Sequence, residues 1–451
     1  MGPVRETAAR TPARRDRHVD LLRAVAICAV VLGHWLLIAV QPAGGTIRGF
    51  SALAVLTWAQ PVTWLFQVMP VFFMVGGFAN AASLRSRLRR PDRTAATVDW
   101  LLDRGARLAY PTAVLLAVVA AAAVVAGLAG VDRDQIGTAT WLATLPLWFL
   151  VAYLAAVLLT PVMYAAHRRA GLAVPVLLLL PVAVGDVLRL RYGQESYAYG
   201  NLLFAWLALH QVGFSWQDGR LPARPRVAVP LLAGGLAALV LLTVAGPYPV
   251  SMVTVPGAPV QNSSPPTLAL LSLAVAQLGL ALLLRDRSQR WLERSRVWMA
   301  VVAVNSVVLT LFLWHLVAAV LVIVVLYLAG WLSAAPVGSA AWLAGRVPWV
   351  AACAVALTAL VLPAGRVEAR AAGAPRLTGG PVSRGAPAAT VAGYLAVVVG
   401  LLWLAVAGQG YHGLTGVPPG AVGLVLAGTG AIGTVRAYRS RSGRAHRSPA
   451  R

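Results

Sequence analysis

Lysine is missing altogether from this chain of 451 residues, and only 12% of its residues carry a charge, about half the share found in ordinary soluble domains. So few charges cannot clothe a water-facing globule, and a soluble fold is excluded. Cysteine is almost as scarce. Cys28 and Cys353 are the only two, far apart and both inside apolar runs, which leaves no disulfide framework and no CxxC redox or metal site. Glycine-rich phosphate loops, HExxH and Cys/His clusters are absent as well, so no metal and no nucleotide-hydrolysis site is expected. No stretch between the apolar runs is long enough for a separate soluble domain. Any chemistry therefore belongs within the apolar part or at its edge.

What the chain has in abundance is long apolar runs, with 59% of its residues hydrophobic. Twelve runs, at 20–40, 61–83, 108–129, 140–163, 172–186, 199–215, 227–246, 267–284, 298–329, 343–363, 389–407 and 419–435, approach or exceed what a helix needs to cross a ~30 Å hydrocarbon layer. The fifth is short and the ninth longer than a bilayer requires. All 38 basic residues are arginine. With the N-terminus inside, 33 of them fall on the inner side and five, Arg48, Arg133, Arg189, Arg191 and Arg346, on the outer, as the positive-inside bias demands. The net charge of +24 thus reports topology rather than a nucleic-acid face, which would be contiguous and solvated. We expect an all-α, polytopic transmembrane bundle of about twelve spans with both ends cytoplasmic. Its parts are a tail (1–19), a ten-helix core (20–363), a Gly/Pro/Arg-rich linker (364–388), an additional helix pair (389–435) and a basic tail (436–451).

Ionisable groups inside lipid cost roughly 2.5–3.5 kcal/mol each, so the few present point to function. In the first run Arg23 and His34 stand eleven residues apart, which at ~100° per residue returns them to one helix face, ~16 Å apart along the axis. Asp20 extends that stripe toward water and can pair with Arg23. A histidine out of water is held neutral, ready to take a proton from a hydroxyl, while arginine offers a planar fork of donors to phosphate or carboxylate. An anchoring arginine and a packing histidine would use the same residues. Arg104 and Arg107, three apart near the inner interface, suit a pyrophosphate or simple anchoring. His315, in the ninth run, lies at about the depth of His34 if that run is one helix from Met299. With Trp314 and Asn305 nearby, it could position an acceptor or stabilise an oxyanion, or merely pack. His210 reads as interfacial, and His18, His167, His412 and His446 as loop or tail residues. Cys28 has no base on its own helix face, which argues against an acyl-cysteine.

The stretch DLLRAVAICAVVLGHW resembles the opening helix of the acyltransferase-3 family of integral membrane O-acyltransferases, with an arginine, ten residues, then a histidine. PVFFMVGGF (70–78), DRGARLAYP (103–111), LWFLVAYL (147–154) and LFLWHL (311–316) are similar to the family's later elements, in the same order. Gly76-Gly77 stands where the family commonly has Ser-Gly. The resemblance implies that His34 is the catalytic base and Arg23 its partner in binding or orienting the donor. Asp20, Arg104, Arg107, Trp148, Asn305 and His315 are then expected on the substrate side. It further implies acyl-CoA as the donor substrate with no bound cofactor, a hydroxyl acceptor on a glycan, lipid or secreted small molecule, and a place in a bacterial plasma membrane. Twelve spans also suit a secondary transporter. Against that, neither the Arg-x10-His helix nor FFMVGGF recurs at a half-chain offset, and the acidic residues lie in loops or at helix ends rather than mid-span.

Overall fold

Backbone amides in hydrocarbon have no water to bond, so apolar runs must close their hydrogen bonds internally as helices. The computed structural model, which describes residues 15–43, 46–377, 382–408 and 411–445, is a helical bundle with one β-hairpin. The order is α1 (Arg17–Leu37), β1 (Ile38–Ala43), β2 (Thr46–Ser51), a short turn α2 (Thr63–Phe66), then α3 (Met69–Arg87), α4 (Arg93–Leu128), α5 (Arg133–Thr144), α6 (Leu147–Ala170), α7 (Ala173–Tyr192) and α8 (Asn201–Gln217). There follow α9 (Pro225–Val240), α10 (Leu268–Trp291), α11 (Ser295–Ser306), α12 (Val308–Leu328), α13 (Ala340–Gly373), α14 (Ala386–Ala407) and α15 (Pro419–Ala445). Polar residues start several of them. Asp92, Thr267 and Ser339 accept from the backbone amides of Ala95, Leu270 and Trp342, satisfying donors that a helix start leaves open.

Eleven segments among the described residues are long and apolar enough to cross a membrane. The sixth apolar run is the 17-residue α8, about 26 Å long at 1.5 Å per residue. The ninth run is not one helix. It breaks at Val307 between α11 and α12, so the depth argument from a continuous helix does not apply to His315. Helix α13 continues to Gly373, through the first part of the stretch read as a linker. The N-terminal tail to residue 14 and the last six residues lie outside the described residues.

Lipid-facing stripes are plainly apolar. On α7, Val176, Leu177, Leu180, Val184 and Val187 are all exposed. Between helices the contacts are close, and small residues permit them. A Cβ on Gly77 would lie 1.9 Å from the His210 carbonyl oxygen, and one on Gly213 2.1 Å from that of Met74, so α3 and α8 cross backbone to backbone. Two of the arginines expected on the outer side are absorbed into the fold. Arg189, 2% exposed, pairs with buried Asp186 at 3.1 Å. Asp186 also accepts from the Tyr248 hydroxyl at 2.9 Å and the Leu268 amide at 2.8 Å. Burial and the neighbouring carboxylate push the Tyr248 phenol up, so it stays a donor. Arg346 donates to the Ile38 carbonyl at 2.9 Å and sits 4.2 Å over the Trp342 ring.

The last pair packs on α4. The Tyr394 hydroxyl donates to the Leu101 carbonyl at 2.8 Å, Arg439 Nε to Asp99 at 2.9 Å and Arg436 Nε to Asp103 at 3.2 Å. The chain before this pair is tied down too, because the Leu377 carbonyl accepts from Arg87 at 2.7 Å and Arg90 at 3.1 Å.

Candidate active site

Helix α1 begins where Asp16 accepts from the His18 amide, and its faces divide sharply. Val25, Cys28, Leu32 and Leu36 form the exposed stripe. His34 follows Val25 by nine residues, half a turn away at ~100° per residue, and Arg23 is turned the same way within ~20°. Both therefore point into the bundle. Cys28 faces lipid.

The His34 ring meets His315 of α12. Nδ1 of His34 lies 2.9 Å from Nε2 of His315, and Nδ1 of His315 lies 2.7 Å from the Phe312 carbonyl oxygen. A carbonyl only accepts, so His315 must carry its proton on Nδ1 and present a bare Nε2. That nitrogen accepts from Nδ1–H of His34, leaving Nε2 of His34 with a free lone pair. Burial separates the two residues further: His315 is 0% exposed, whereas His34 is partly exposed. Expected to touch an acceptor or an oxyanion, His315 is sealed with both nitrogens engaged, and its influence runs through His34. Indole donors lock this corner. Trp35 Nε1 donates to the His315 carbonyl at 2.9 Å, and Trp349 Nε1 to that of Trp35 at 2.8 Å.

Three of the sequence elements meet beside the pair as one aromatic series. Phe73 stacks on Trp206 with centroids 4.6 Å apart and meets Phe149 edge-on at 5.3 Å; Phe149 meets Phe312 at 5.3 Å, and Phe312 leads to His315 at 6.3 Å. Trp148 joins at its margin, 6.1 Å from Trp206. Such edge and offset contacts are favourable beyond simple burial. Gly76 has a specific reason here: a Cβ would come within 2.7 Å of the Tyr153 ring and 3.0 Å of its hydroxyl oxygen. Tyr153 occupies the space that a serine would need.

Toward the arginine-rich side lies a second cluster. Asp20, 5% exposed, takes Nε of Arg15 at 2.5 Å and Nη2 at 3.0 Å, and its carboxylate raises Arg15 further above its ordinary value. Arg23 is held only at 3.5 Å, so Arg15, not Arg23, is the main partner of Asp20. Asn305 donates to the Asp20 carbonyl at 2.9 Å, and its own side-chain oxygen is buried without a partner among the described residues. Arg104 donates to Ser83 Oγ at 2.9 Å and is within electrostatic reach of Arg23, Arg107 and Tyr153. Arg107 is also within electrostatic reach of Asp103, Arg376, Arg436 and Arg87. Both aspartates of α4 are already taken, Asp103 by Arg87 and Arg436, Asp99 by Arg90 and Arg439.

Several residues escaped sequence reasoning. Glu368, inside the stretch read as linker, caps α12: it accepts from the amides of Leu309 at 3.3 Å and Thr310 at 2.8 Å and from Thr310 Oγ1 at 2.5 Å. The signal was present in the over-long ninth run with polar Asn305-Ser306 inside it, which marks a helix start in need of an anion. His210 is not interfacial. It is 0% exposed, hydrogen-bonded to Asn80 at 3.0 Å and within electrostatic reach of Arg104. His18 and His167 are also buried helix residues, at 1% and 3% exposure, not loop residues. No group of three or more His, Cys, Asp or Glu that could hold a metal occurs among the described residues.

A family model described as an acyltransferase domain, that of acyltransferase family 3, matches residues 16–365. None of the curated proteins and none of the solved structures compared matches the chain. The matched span contains the histidine pair, the aromatic series and Arg23, Arg104 and Arg107, and stops before α14 and α15.

Proposed function

The chain belongs to the acyltransferase-3 family and is a multi-pass membrane acyltransferase, and from this premise we propose that it transfers an acyl group from acyl-CoA to a hydroxyl, with His34 as general base. The acceptor hydroxyl belongs to a glycan, a lipid or a secreted small molecule, and the membrane is a bacterial plasma membrane. The observation that carries the reading is the free Nε2 of His34, left bare by the order of hydrogen bonds from Phe312 through His315 and turned away from the lipid stripe.

In the reaction, Nε2 of His34 takes the proton of the acceptor hydroxyl as the oxygen attacks the thioester carbonyl carbon. Nδ1–H then holds the new imidazolium against His315, which stabilises the charge without proton transfer. When the tetrahedral intermediate collapses, the carbon–sulfur bond breaks, the proton returns from His34 to the departing thiolate, and ester and free CoA remain. The donor's anionic groups stay on the arginine-rich side. Arg23, loosely held, and Arg107, with no hydrogen bond among the described residues, are the cations left for them. The C-terminal pair supports this arrangement, because Arg436 and Arg439 absorb the carboxylates of Asp103 and Asp99 that would otherwise compete.

The test is acyl transfer by the purified full chain from radiolabelled acetyl-CoA to a panel of glycan and lipid acceptors, comparing wild type with His34→Ala and Arg23→Ala. Loss of turnover in the first and a raised KM for acetyl-CoA in the second are expected; equal kinetics in all three would overturn the reading.

A further inference from the structure

At the arginine-rich ends of α3, α6 and α8, away from the histidine pair, there is a cavity of about 240 Å³ lined by Arg85, Tyr164, His167, Arg168, Asp218 and Arg220, among others. Its charges do not cancel: three arginines against one aspartate leave +2. Asp218 is fully committed, accepting from Arg220 Nε at 2.9 Å and bonded to His167 Nε2 at 2.8 Å. Arg85 and Arg168 have no hydrogen-bond or ion-pair partner among the described residues. His167, 3% exposed, is held edge-on by the Phe214 ring at 5.7 Å, and its Nδ1 is buried with no partner among the described residues. Because Nε2–H is given to the Asp218 carboxylate, Nδ1 is a bare acceptor, and it calls for a ligand hydroxyl such as that of a glycerol headgroup or a monoprotonated phosphate.

We propose that this cavity binds the phosphate of an anionic ligand, with Arg85 and Arg168 as its free cations, Arg220 fixed beside them by Asp218, and His167 at its floor. The volume is below the ~300–1,000 Å³ of pockets that enclose drug-sized molecules, which suits a phosphate with a small substituent held inside while the rest of a larger ligand stays outside. Its place is also telling. It opens at the inner interface beside the exposed apolar residues Val162 and Leu172, where basic pockets between helices meet lipid headgroups. Phosphatidylglycerol and free phosphate share the required chemistry. The site is independent of the acyl-transfer reading, since none of these residues touches His34 or Arg23.

The test uses the full chain in detergent, with retention of short-chain phosphatidylglycerol measured by native mass spectrometry. Zwitterionic phosphatidylcholine, whose choline cancels the phosphate charge, serves as the net-neutral control, and inorganic phosphate is added as competitor. The variants are Arg85→Ala with Arg168→Ala and, as charge control, Arg89→Ala with Arg169→Ala, exposed arginines outside the cavity. Wild type and the control should retain phosphatidylglycerol at least about 10-fold better than phosphatidylcholine, and the cavity variant should lose that preference. Phosphate that displaces the lipid, or binds alone and protects against thermal unfolding only in wild type and the control, supports the same site with a soluble ligand. Equal retention of both lipids by wild type without phosphate protection, or equal losses in the cavity and control variants, would overturn the proposal.

Discussion

Replacing His315 with alanine removes the acceptor that holds Nδ1–H of His34, 2.9 Å away, while the Trp35 bond to the residue 315 carbonyl stays because it is a backbone contact. His34 is then free to move its proton to Nε2, the nitrogen that must stay bare, and the imidazolium formed in the transition state loses its partner. A hydrogen bond to a charged group contributes about 1.5–3 kcal/mol, and each ~1.36 kcal/mol is tenfold in rate. We therefore expect kcat to fall roughly 10- to 150-fold with the KM for acetyl-CoA unchanged, as for an interaction made only in the transition state. Glutamine can place its amide oxygen near the position of Nε2, so His315→Gln should recover much of the loss. The assay is initial-rate release of free CoA thiol with a saturating acceptor, with thermal unfolding as a control for folding. A folded His315→Ala protein with undiminished kcat, or with only a raised KM, would refute the tautomer argument.

Arg436→Ala should raise the KM for acetyl-CoA at least about 5-fold by returning the Asp103 carboxylate to Arg107; adding Asp103→Asn should restore it, and failure of that rescue would separate the C-terminal pair from donor binding. Gly77→Ala forces a methyl into a backbone carbonyl 1.9 Å away, so thermal unfolding should show a loss of about 1–3 kcal/mol or more. Glu368→Ala strips the cap from α12 at a cost of about 1–2 kcal/mol and should lower kcat because that helix carries His315; Glu368→Gln, which keeps an acceptor, should lose less. Cys28→Ser and Cys353→Ser should leave turnover unchanged, since Cys28 faces lipid and Cys353 is 0% exposed.

Spans and family were legible because they rest on local rules: run length against bilayer thickness, and short motifs in a fixed order along the chain. Where a fact depended on one helix meeting another, local rules failed. His18, His167 and His210 were read by their distance from span ends, yet what decides their state is the neighbouring helix that buries each one. Glu368 sat in a stretch whose glycines and prolines suggest a loop, and its capping role exists only because α13 runs past the break before α12. Arg104 and Arg107 share a face in sequence, but only the packing gives them different surroundings: Arg104 is bonded to Ser83 of α3, while Arg107 lies within reach of Arg436 of α15.

The amino-acid order by itself determined that this chain is a multi-pass helical protein, which end of each helix faces the arginine-rich side, and which polar groups must be kept out of lipid, because each follows from the cost of moving single residues between water and hydrocarbon. Only the tertiary structure decided that Nδ1 of His34 meets Nε2 of His315 and which nitrogen that contact leaves free, since a tautomer is chosen by partners 281 residues apart in the chain that no local pattern records.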